Sequence, residues 1–281
     1  MTRVAIVADS AGDLTAKQAQ NAGISVVPLL VTFGEREYRA GVDLSSEDFY
    51  AQLTAPGAPF PKTAAAAPGT FRETFERLLA EGADEIVYVG VGAKLSATLG
   101  SAKVARDMLP DRTIRIVDSN SASMGAGLLA LRASEMAAAG ASSDEIAADL
   151  ERRREGISLY VVLETLEYLK RGGRISPARA AIGSVLSVKP IITILDGVVE
   201  TADKPRTRGR ARERLIELIT ATSPERVAIL HSQSDDVEAF ATELAAATKV
   251  PRAEMLVNVI GASVGPHVGP GAFGAVTLCA R

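Results

Sequence analysis

Three side chains that could bind a small anion stand in loops of an otherwise aliphatic chain. Thr63 follows Lys62 at the start of an alanine-rich loop, and Ser96 stands where a predicted strand gives way to a predicted helix. His267 lies in the Gly/Pro-rich segment 266–271. A helix N-terminus offers free backbone N–H groups and the positive end of the helix dipole, so a serine there adds a donor to an anion site. Two hydroxyls and one imidazole suit a carboxylate or a single phosphate.

The predicted order of elements brings some of these residues together. Asp9 and Ser10 follow the first predicted strand, as Ser96 follows a later one. Loops at the carboxyl ends of strands in an α/β sheet meet in one crevice, so we expect Asp9, Ser10 and Ser96 to be neighbours. Taken singly, Ser96 is an ordinary helix cap and His267 a turn residue. Their occurrence together favours a binding site.

Composition excludes several functional classes. The formal charge of −3 over 281 residues argues against a partner with a phosphate backbone, which requires a basic face. The single cysteine, Cys279, excludes an internal disulfide framework and cysteine-based zinc sites, and two distant histidines form no HExxH pair. We therefore expect no metal and no cofactor. Hydrophobic residues make up 47% of the chain, enough for two cores, and with no Trp these cores must be aliphatic.

Two further observations concern location. The first strand is predicted at residues 4–8, where a secretory signal would otherwise lie. The longest apolar run, residues 24–33, is shorter than the roughly 20 residues of a membrane-spanning helix. We therefore expect a cytoplasmic protein with no integral membrane segment.

Nucleotide motifs are absent or misplaced. No GxxxxGK[ST] motif occurs, and residues 125–130 match GxGxxA only inside a predicted helix rather than at a strand-to-helix turn. Close helix packing is the better interpretation of Gly125 and Gly127. His231 ends a predicted strand ahead of Ser232 and could act as a base, although a hydrogen-bonded residue at a strand edge is the simpler interpretation.

The order of strands and helices predicts an α/β fold in two domains, residues 1–157 and 158–281. In the first, short aliphatic strands alternate with helices, which is typical of a parallel sheet covered on both faces, a three-layer arrangement. In the second, hairpins are mixed with helices, which favours a two-layer domain with a mixed sheet. The predicted strands are 4–8, 24–33, 85–91, 113–117, 158–163, 191–195, 198–200 and 226–230, with two more around 266–271, and a further helix begins at Pro177.

The chain resembles the DegV family from the first strand to the last. The matching motifs are Asp9-Ser10-x-x-Asp13-Leu14, Val27-Pro28-Leu29, Lys62-Thr63, Leu95-Ser96-x-Thr98-x-x-Ser101-Ala102, Val117-Asp118-Ser119, Gly172-Gly173-Arg174-Ile175-Ser176, Lys189-Pro190-Ile191, Lys204-x-Arg206 and His267-x-Gly269-Pro270-Gly271. The resemblance implies a bacterial protein that binds a long-chain fatty acid, with palmitate (hexadecanoate) as the best guess. It implies that a separate ATP-dependent fatty acid kinase phosphorylates the bound carboxylate for phospholipid synthesis. The chain itself would then not be an enzyme.

The same resemblance implies roles for five residues. Thr63 and Ser96 match the hydroxyls that bind the carboxylate, and His267 matches the nearby histidine. Arg206 matches a position that adds positive charge near the head group in some members. Arg174 is similar to a residue needed for transfer with the kinase.

Two departures from the family pattern bear on the head group. Relatives often have Thr-Ser-Gln-Pro-Ser where this chain has Thr63 followed by alanine at residues 64–67, and they often have glycine where this chain has Ala97.

Two other functional classes stay open. One is an acyl- or phosphate-ester enzyme with Ser96 as nucleophile and His267 or His231 as base, although no GxSxG elbow surrounds Ser96. The other is a regulator that responds to its ligand by binding partner proteins.

Overall fold

A computed structural model describes residues 2–174 and 188–279. The strands are β1 Val4–Asp9, β2 Ile24–Val27, β3 Leu30–Phe33, β4 Arg36–Arg39, β5 Lys62–Ala64, β6 Glu85–Gly90, β7 Thr113–Asp118, β8 Ile157–Val162, β9 Ile191–Leu195, β10 Val198–Asp203, β11 Arg226–His231, β12 Leu256–Val259 and β13 Phe273–Leu278. The α-helices are α1 Ala16–Asn21, α2 Ser46–Thr54, α3 Pro68–Ala80, α4 Thr98–Asp107, α5 Met124–Ala138, α6 Ser143–Arg153, α7 Glu167–Arg171, α8 Arg208–Thr220, α9 Val237–Thr248 and α10 Gly265–Val268. The helix predicted from Pro177 lies outside the described residues.

The first half is built on a parallel sheet of four strands in the order β2-β1-β6-β7. Alternate residues of each strand face opposite sides, so both faces can be apolar. On one face, Tyr88 and Ile86 pack against Phe71 and its neighbours in α3 and α4. On the other, the strands pack against α1, α5 and α6. The predicted three-layer arrangement is confirmed.

The single strand predicted over residues 24–33 is wrong. The chain forms β2 and β3 in different sheets, with Pro28 and Leu29 between them. Proline has no N–H to donate to a ladder and interrupts the strand. β3 instead joins a small antiparallel sheet in the order β4-β3-β5, in which Val31 is opposite Thr63. Thr63 is therefore held in a short strand rather than in a loop.

The second half contains a mixed sheet of six strands in the order β10-β9-β8-β13-β11-β12. Only the β11–β12 pair is parallel. Helices α8 and α9 cover one face, which confirms the predicted two-layer arrangement. The other face contacts Met124 and Leu128 of α5. The sheet begins at Ile157, and the independence of two domains divided at this point stays a prediction.

Glycines in α5 allow a close approach between backbones. A Cβ atom on Gly127 would lie 2.5 Å from the backbone oxygen of Gly12, and one on Gly125 would lie 2.1 Å from Ser121 Oγ. Neither distance leaves room for a side chain. The packing interpretation of the GxGxxA sequence is therefore supported.

Asp13 connects the two halves through a buried carboxyl group. Its Oδ2 accepts a hydrogen bond from Ser123 Oγ at the start of α5, and its Oδ1 accepts one from the backbone N–H of Gly261 at 2.9 Å. Asn258 Nδ2 donates a hydrogen bond of 2.8 Å to the backbone oxygen of Asp13. Burial raises the pKa of Asp13 to about 7, although the bonds from Ser123 and Gly261 oppose this shift.

Asp13→Asn tests this connection through the pH dependence of stability. Because the pKa of Asp13 is raised on folding from 3.8, its contribution to stability is complete below about pH 4 and is lost as the pH rises to about 7. The free energy of unfolding of the parent should therefore fall with pH across this window, relative to the variant, by up to about 1.4 kcal/mol per pH unit. Urea unfolding at several pH values measures this difference, with exposed Asp111→Asn as the control. Identical pH profiles for parent and Asp13→Asn would contradict the assignment.

Candidate functional site

A cavity of about 310 Å³ is lined by residues of both halves of the chain. This volume is within the range of about 300–1,000 Å³ typical of small-molecule sites. Most of its wall is aliphatic, formed by Ala11, Leu29, Ala64, Ala65, Val91, Leu95, Ala97, Ala122, Leu159, Val161, Leu169, Ile192, Ile194, Val199, Leu230, Ile260, Val264 and Val268. The polar lining residues are Thr63, Ser96, Ser123, Arg174, Ser263 and His267. The structure thus brings four of the five predicted site residues to one cavity, namely Thr63, Ser96, Arg174 and His267.

Ser96 stands two residues before the start of helix α4 and lines the cavity. Its Oγ shares a hydrogen bond of 2.8 Å with the hydroxyl of buried Thr98 and accepts a longer one, at 3.3 Å, from the Thr98 backbone N–H. Helix α4 begins at Thr98 rather than at Ser96 as predicted. Ser96 is therefore fixed beside the positive end of the helix dipole, which favours a negative ligand.

The imidazole of His267 lies next to the hydroxyl of Thr63 in the cavity lining. His267 lies in the single-turn helix α10, and its Nε2 is 3.4 Å from Thr63 Oγ1. Its Nδ1 is buried with no hydrogen-bond partner in the described part of the chain, and a Cβ atom on Gly172 would lie 2.2 Å from it. Burial, with Arg174 as a second cause, lowers the pKa of His267 to about 4. The imidazole is therefore neutral at neutral pH. In the tautomer protonated at Nε2 it can donate a hydrogen bond to a ligand, but it supplies no positive charge.

Positive charge in the cavity comes from Arg174. It follows α7, its Nε donates to the backbone oxygen of Leu95 at 3.2 Å, and its Nη1 donates to that of Gly172 at 2.8 Å. Arg174 is the one arginine or lysine among the described lining residues. Arg206, which the family resemblance placed near the head group, is exposed and is not a lining residue. The structure does not bring Arg206 to the other site residues.

Asp9 and Ser10 position the wall rather than line it. Buried Asp9 accepts hydrogen bonds from the Tyr88 hydroxyl at 2.6 Å and from the backbone N–H groups of Ala11 at 2.9 Å and Val91 at 3.0 Å. Ala11 and Val91 both line the cavity. Desolvation by burial raises the pKa of Asp9, against the effect of these bonds. One carboxyl group therefore connects two loops at the carboxyl edge of the parallel sheet.

Ser10 connects the first half of the chain to the second by hydrogen bonds. Its Oγ accepts a hydrogen bond from the backbone N–H of Leu29 at 2.9 Å and shares one of 2.7 Å with the Oγ of Ser263. Ser263 and Ser123 are lining residues that the sequence analysis missed. Neither stands in a motif of recognisable chemistry. Ser123 follows β7 and its backbone N–H donates to the backbone oxygen of Ala11, whereas Ser263 is brought to the cavity by contact between the two halves.

The hydrogen bonds of Ser96 are relevant to the enzyme alternative. Within the described residues, the hydrogen-bond partner of Ser96 is Thr98, and no histidine or carboxylate is hydrogen-bonded to its hydroxyl as a general base would be. His231 is not a lining residue, and burial lowers its pKa. No group of three or more His, Cys, Asp or Glu residues among positions 2–174 and 188–279 could hold a metal ion.

No helix in residues 2–174 and 188–279 is both long enough and apolar enough to cross a lipid bilayer.

Comparison with known proteins identifies the family. The family model described as "Uncharacterised protein, DegV family" matches residues 3–279. A DegV domain-containing protein of Streptomyces coelicolor is 38% identical over 278 residues, which cover 97% of each chain. A solved structure described as fatty acid binding of a DegV family protein from Thermus thermophilus is 34% identical, covers 99% of this chain and 100% of its own, and superposes with a TM-score of 0.91. DegV of Bacillus subtilis, described as a fatty acid binding protein, is 29% identical with full coverage of both chains and a TM-score of 0.89. This chain therefore belongs to the DegV family.

Proposed function

We propose that this protein binds one long-chain fatty acid, such as hexadecanoate, with its carboxylate at Thr63, Ser96, His267 and Arg174. The observation that carries the proposal is the distribution of polarity in the cavity. Hydroxyl, imidazole and guanidinium groups line a cavity whose remaining wall is almost entirely aliphatic. The solved relatives from Thermus thermophilus and Bacillus subtilis, both described as binding fatty acid, support the same ligand class.

The free energy gained by burying an acyl chain is consistent with this aliphatic wall. Each methylene removed from water contributes about 0.8 kcal/mol, so a chain of about 16 carbons gains on the order of 10 kcal/mol before the costs of ordering it. A carboxylate in the same interior is unfavourable unless donors and a positive charge replace its water. Thr63 and Ser96 provide hydroxyl donors, neutral His267 provides an N–H, and Arg174 provides the charge.

We further propose that the protein presents this carboxylate to a separate ATP-dependent fatty acid kinase in the cytoplasm and performs no chemistry itself. Among the described residues, no histidine or carboxylate is hydrogen-bonded to Ser96, which supports a carrier rather than an enzyme. Exposed Gly173, with φ of +68°, forms a turn next to Arg174. A turn at the surface beside the head group is suited to contact with a partner protein.

Extraction of ligand from the purified protein tests the proposal directly. Protein produced in bacteria should release long-chain fatty acid that mass spectrometry identifies, at up to one molecule per chain. Delipidated protein should rebind hexadecanoate. An empty cavity that also refuses added hexadecanoate would contradict the proposed function.

Thr63→Ala and Ser96→Ala should each weaken binding of hexadecanoate. A hydrogen bond to a charged group contributes about 1.5–3 kcal/mol, so each variant should lose about tenfold to a hundredfold in affinity. Fluorescence displacement on delipidated protein measures the change. Ser101→Ala, on α4 but not a lining residue, is the matched control and should bind as the parent does. Unchanged binding by both variants would place the head group elsewhere.

Arg174→Ala separates two roles for this residue. If Arg174 supplies the charge for the carboxylate, the variant should lose at least about tenfold in affinity for hexadecanoate, while binding of the uncharged hexadecanol should not change. Arg206→Ala should leave both affinities unchanged, because its side chain is exposed and does not line the cavity. Tight binding of hexadecanoate by Arg174→Ala, with loss of phosphorylation by the kinase, would instead support the transfer role that the sequence predicted.

A further inference from the structure

We infer that the β9–β10 hairpin forms the tail end of the cavity, and that Ile194 and Val199 determine the length of the acyl chain that fits. The inference rests on the proposed function and adds the residues that select among fatty acids. Both side chains line the cavity, and both belong to the strand pair at the edge of the six-stranded sheet.

The register of the strands shows at which end of the sheet the polar lining residues Arg174 and His267 lie. β8 ends at Val162, which is opposite Ile191 in β9 and Phe273 in β13. Arg174 follows β8 in the chain after helix α7, and His267 comes shortly before β13 begins. Gly172, two residues before Arg174, packs against the His267 ring. Arg174 and His267 therefore lie together beyond the end of the sheet at which β8 finishes and β13 starts.

The same register places the hairpin at the opposite end. Ile194 is three residues further along β9 than Ile191, which corresponds to about 10 Å away from the polar end. Val199 is the direct cross-strand partner of Ile194. Leu159, near the start of β8, is the third lining residue at this level. A ligand with its carboxylate at His267 would thus direct its terminal methyl group toward Ile194 and Val199.

The tip of the hairpin is fixed against the first half of the chain. Lys94 Nζ donates a hydrogen bond of 2.7 Å to the backbone oxygen of Asp196. Gly197 has φ of +75° and is buried, and a Cβ atom there would lie 2.3 Å from Asn120 Oδ1. These contacts keep the two cavity-lining side chains from moving outward when a longer chain enters.

A fixed apolar end limits chain length by packing. A chain that is too long must displace side chains that are already well packed, whereas a chain that is too short leaves unfilled space and loses apolar contact. Removing part of Ile194 should therefore shift the optimum toward longer acids, and enlarging Val199 should shift it toward shorter ones.

Competition among saturated fatty acids of increasing length, from dodecanoate to eicosanoate, tests this inference on delipidated full-length protein. Ile194→Ala should increase the affinity for an acid two carbons longer than the parent's optimum, relative to that optimum, by about tenfold, the gain expected from two additional buried methylenes. Val199→Leu should shift the optimum in the opposite direction. Ile191→Ala is the matched control, because it makes the same truncation in the same strand in a side chain packed on the opposite face of the sheet.

The outcomes separate the two proposals. Opposite shifts in the two variants, with the Ile191→Ala profile equal to the parent's, would support the tail-end assignment. Should Ile194→Ala prove unstable, the shift in Val199→Leu decides alone. Fatty acid binding with the parent's length profile in both variants would overturn this inference and leave the proposed function intact. Failure of the parent to bind any acid in the series would overturn both.

Discussion

A carboxylate can enter an apolar interior only where donors and a positive charge replace the water that it loses, and the proposed site depends on this constraint. In the proposed site few groups meet it. Thr63 and Ser96 would donate from hydroxyls, His267 would donate while neutral, and Arg174 would carry the charge. The rest of the wall is aliphatic and favours a long alkyl chain. Ala64, Ala65 and Ala97 line the cavity beside Thr63 and Ser96 and add no donors to it.

Such a site needs rigid support, because its groups come from both halves of the chain. Buried Asp9 connects the loops that carry Ala11 and Val91, and Asp13 connects α5 to the segment at Gly261. Burial raises the pKa of both carboxyl groups. The hydrogen bonds that they accept favour their charged forms and partly offset the cost of desolvation. These carboxyl groups are therefore costly to bury, and both lie where their hydrogen bonds connect segments next to the cavity.

Sequence patterns predicted most of the strands and helices and part of the site. Hydrophobic patterning predicted the former, and short motifs predicted the latter. Aliphatic strands followed by amphipathic helices indicated the parallel sheet, and motif resemblance indicated Thr63, Ser96 and His267. The division of residues 24–33 was missed because Pro28 lies inside an otherwise continuous apolar run. Ser123 and Ser263 were missed because only long-range contact brings them to the cavity. The placement of Arg174 rather than Arg206 at the cavity depends on the path of the chain after α7, which no local pattern predicts.

The orientation of the ligand in the cavity can be measured by anomalous scattering. A crystal of the delipidated protein in complex with hexadecanoic acid that carries bromine on its terminal carbon would locate both ends of the acyl chain. We expect one bromine peak per protein chain near Ile194 and Val199, with carboxylate density within hydrogen-bonding distance of Ser96 and Arg174. A bromine peak beside His267, or a ligand bound outside the cavity, would contradict this expectation.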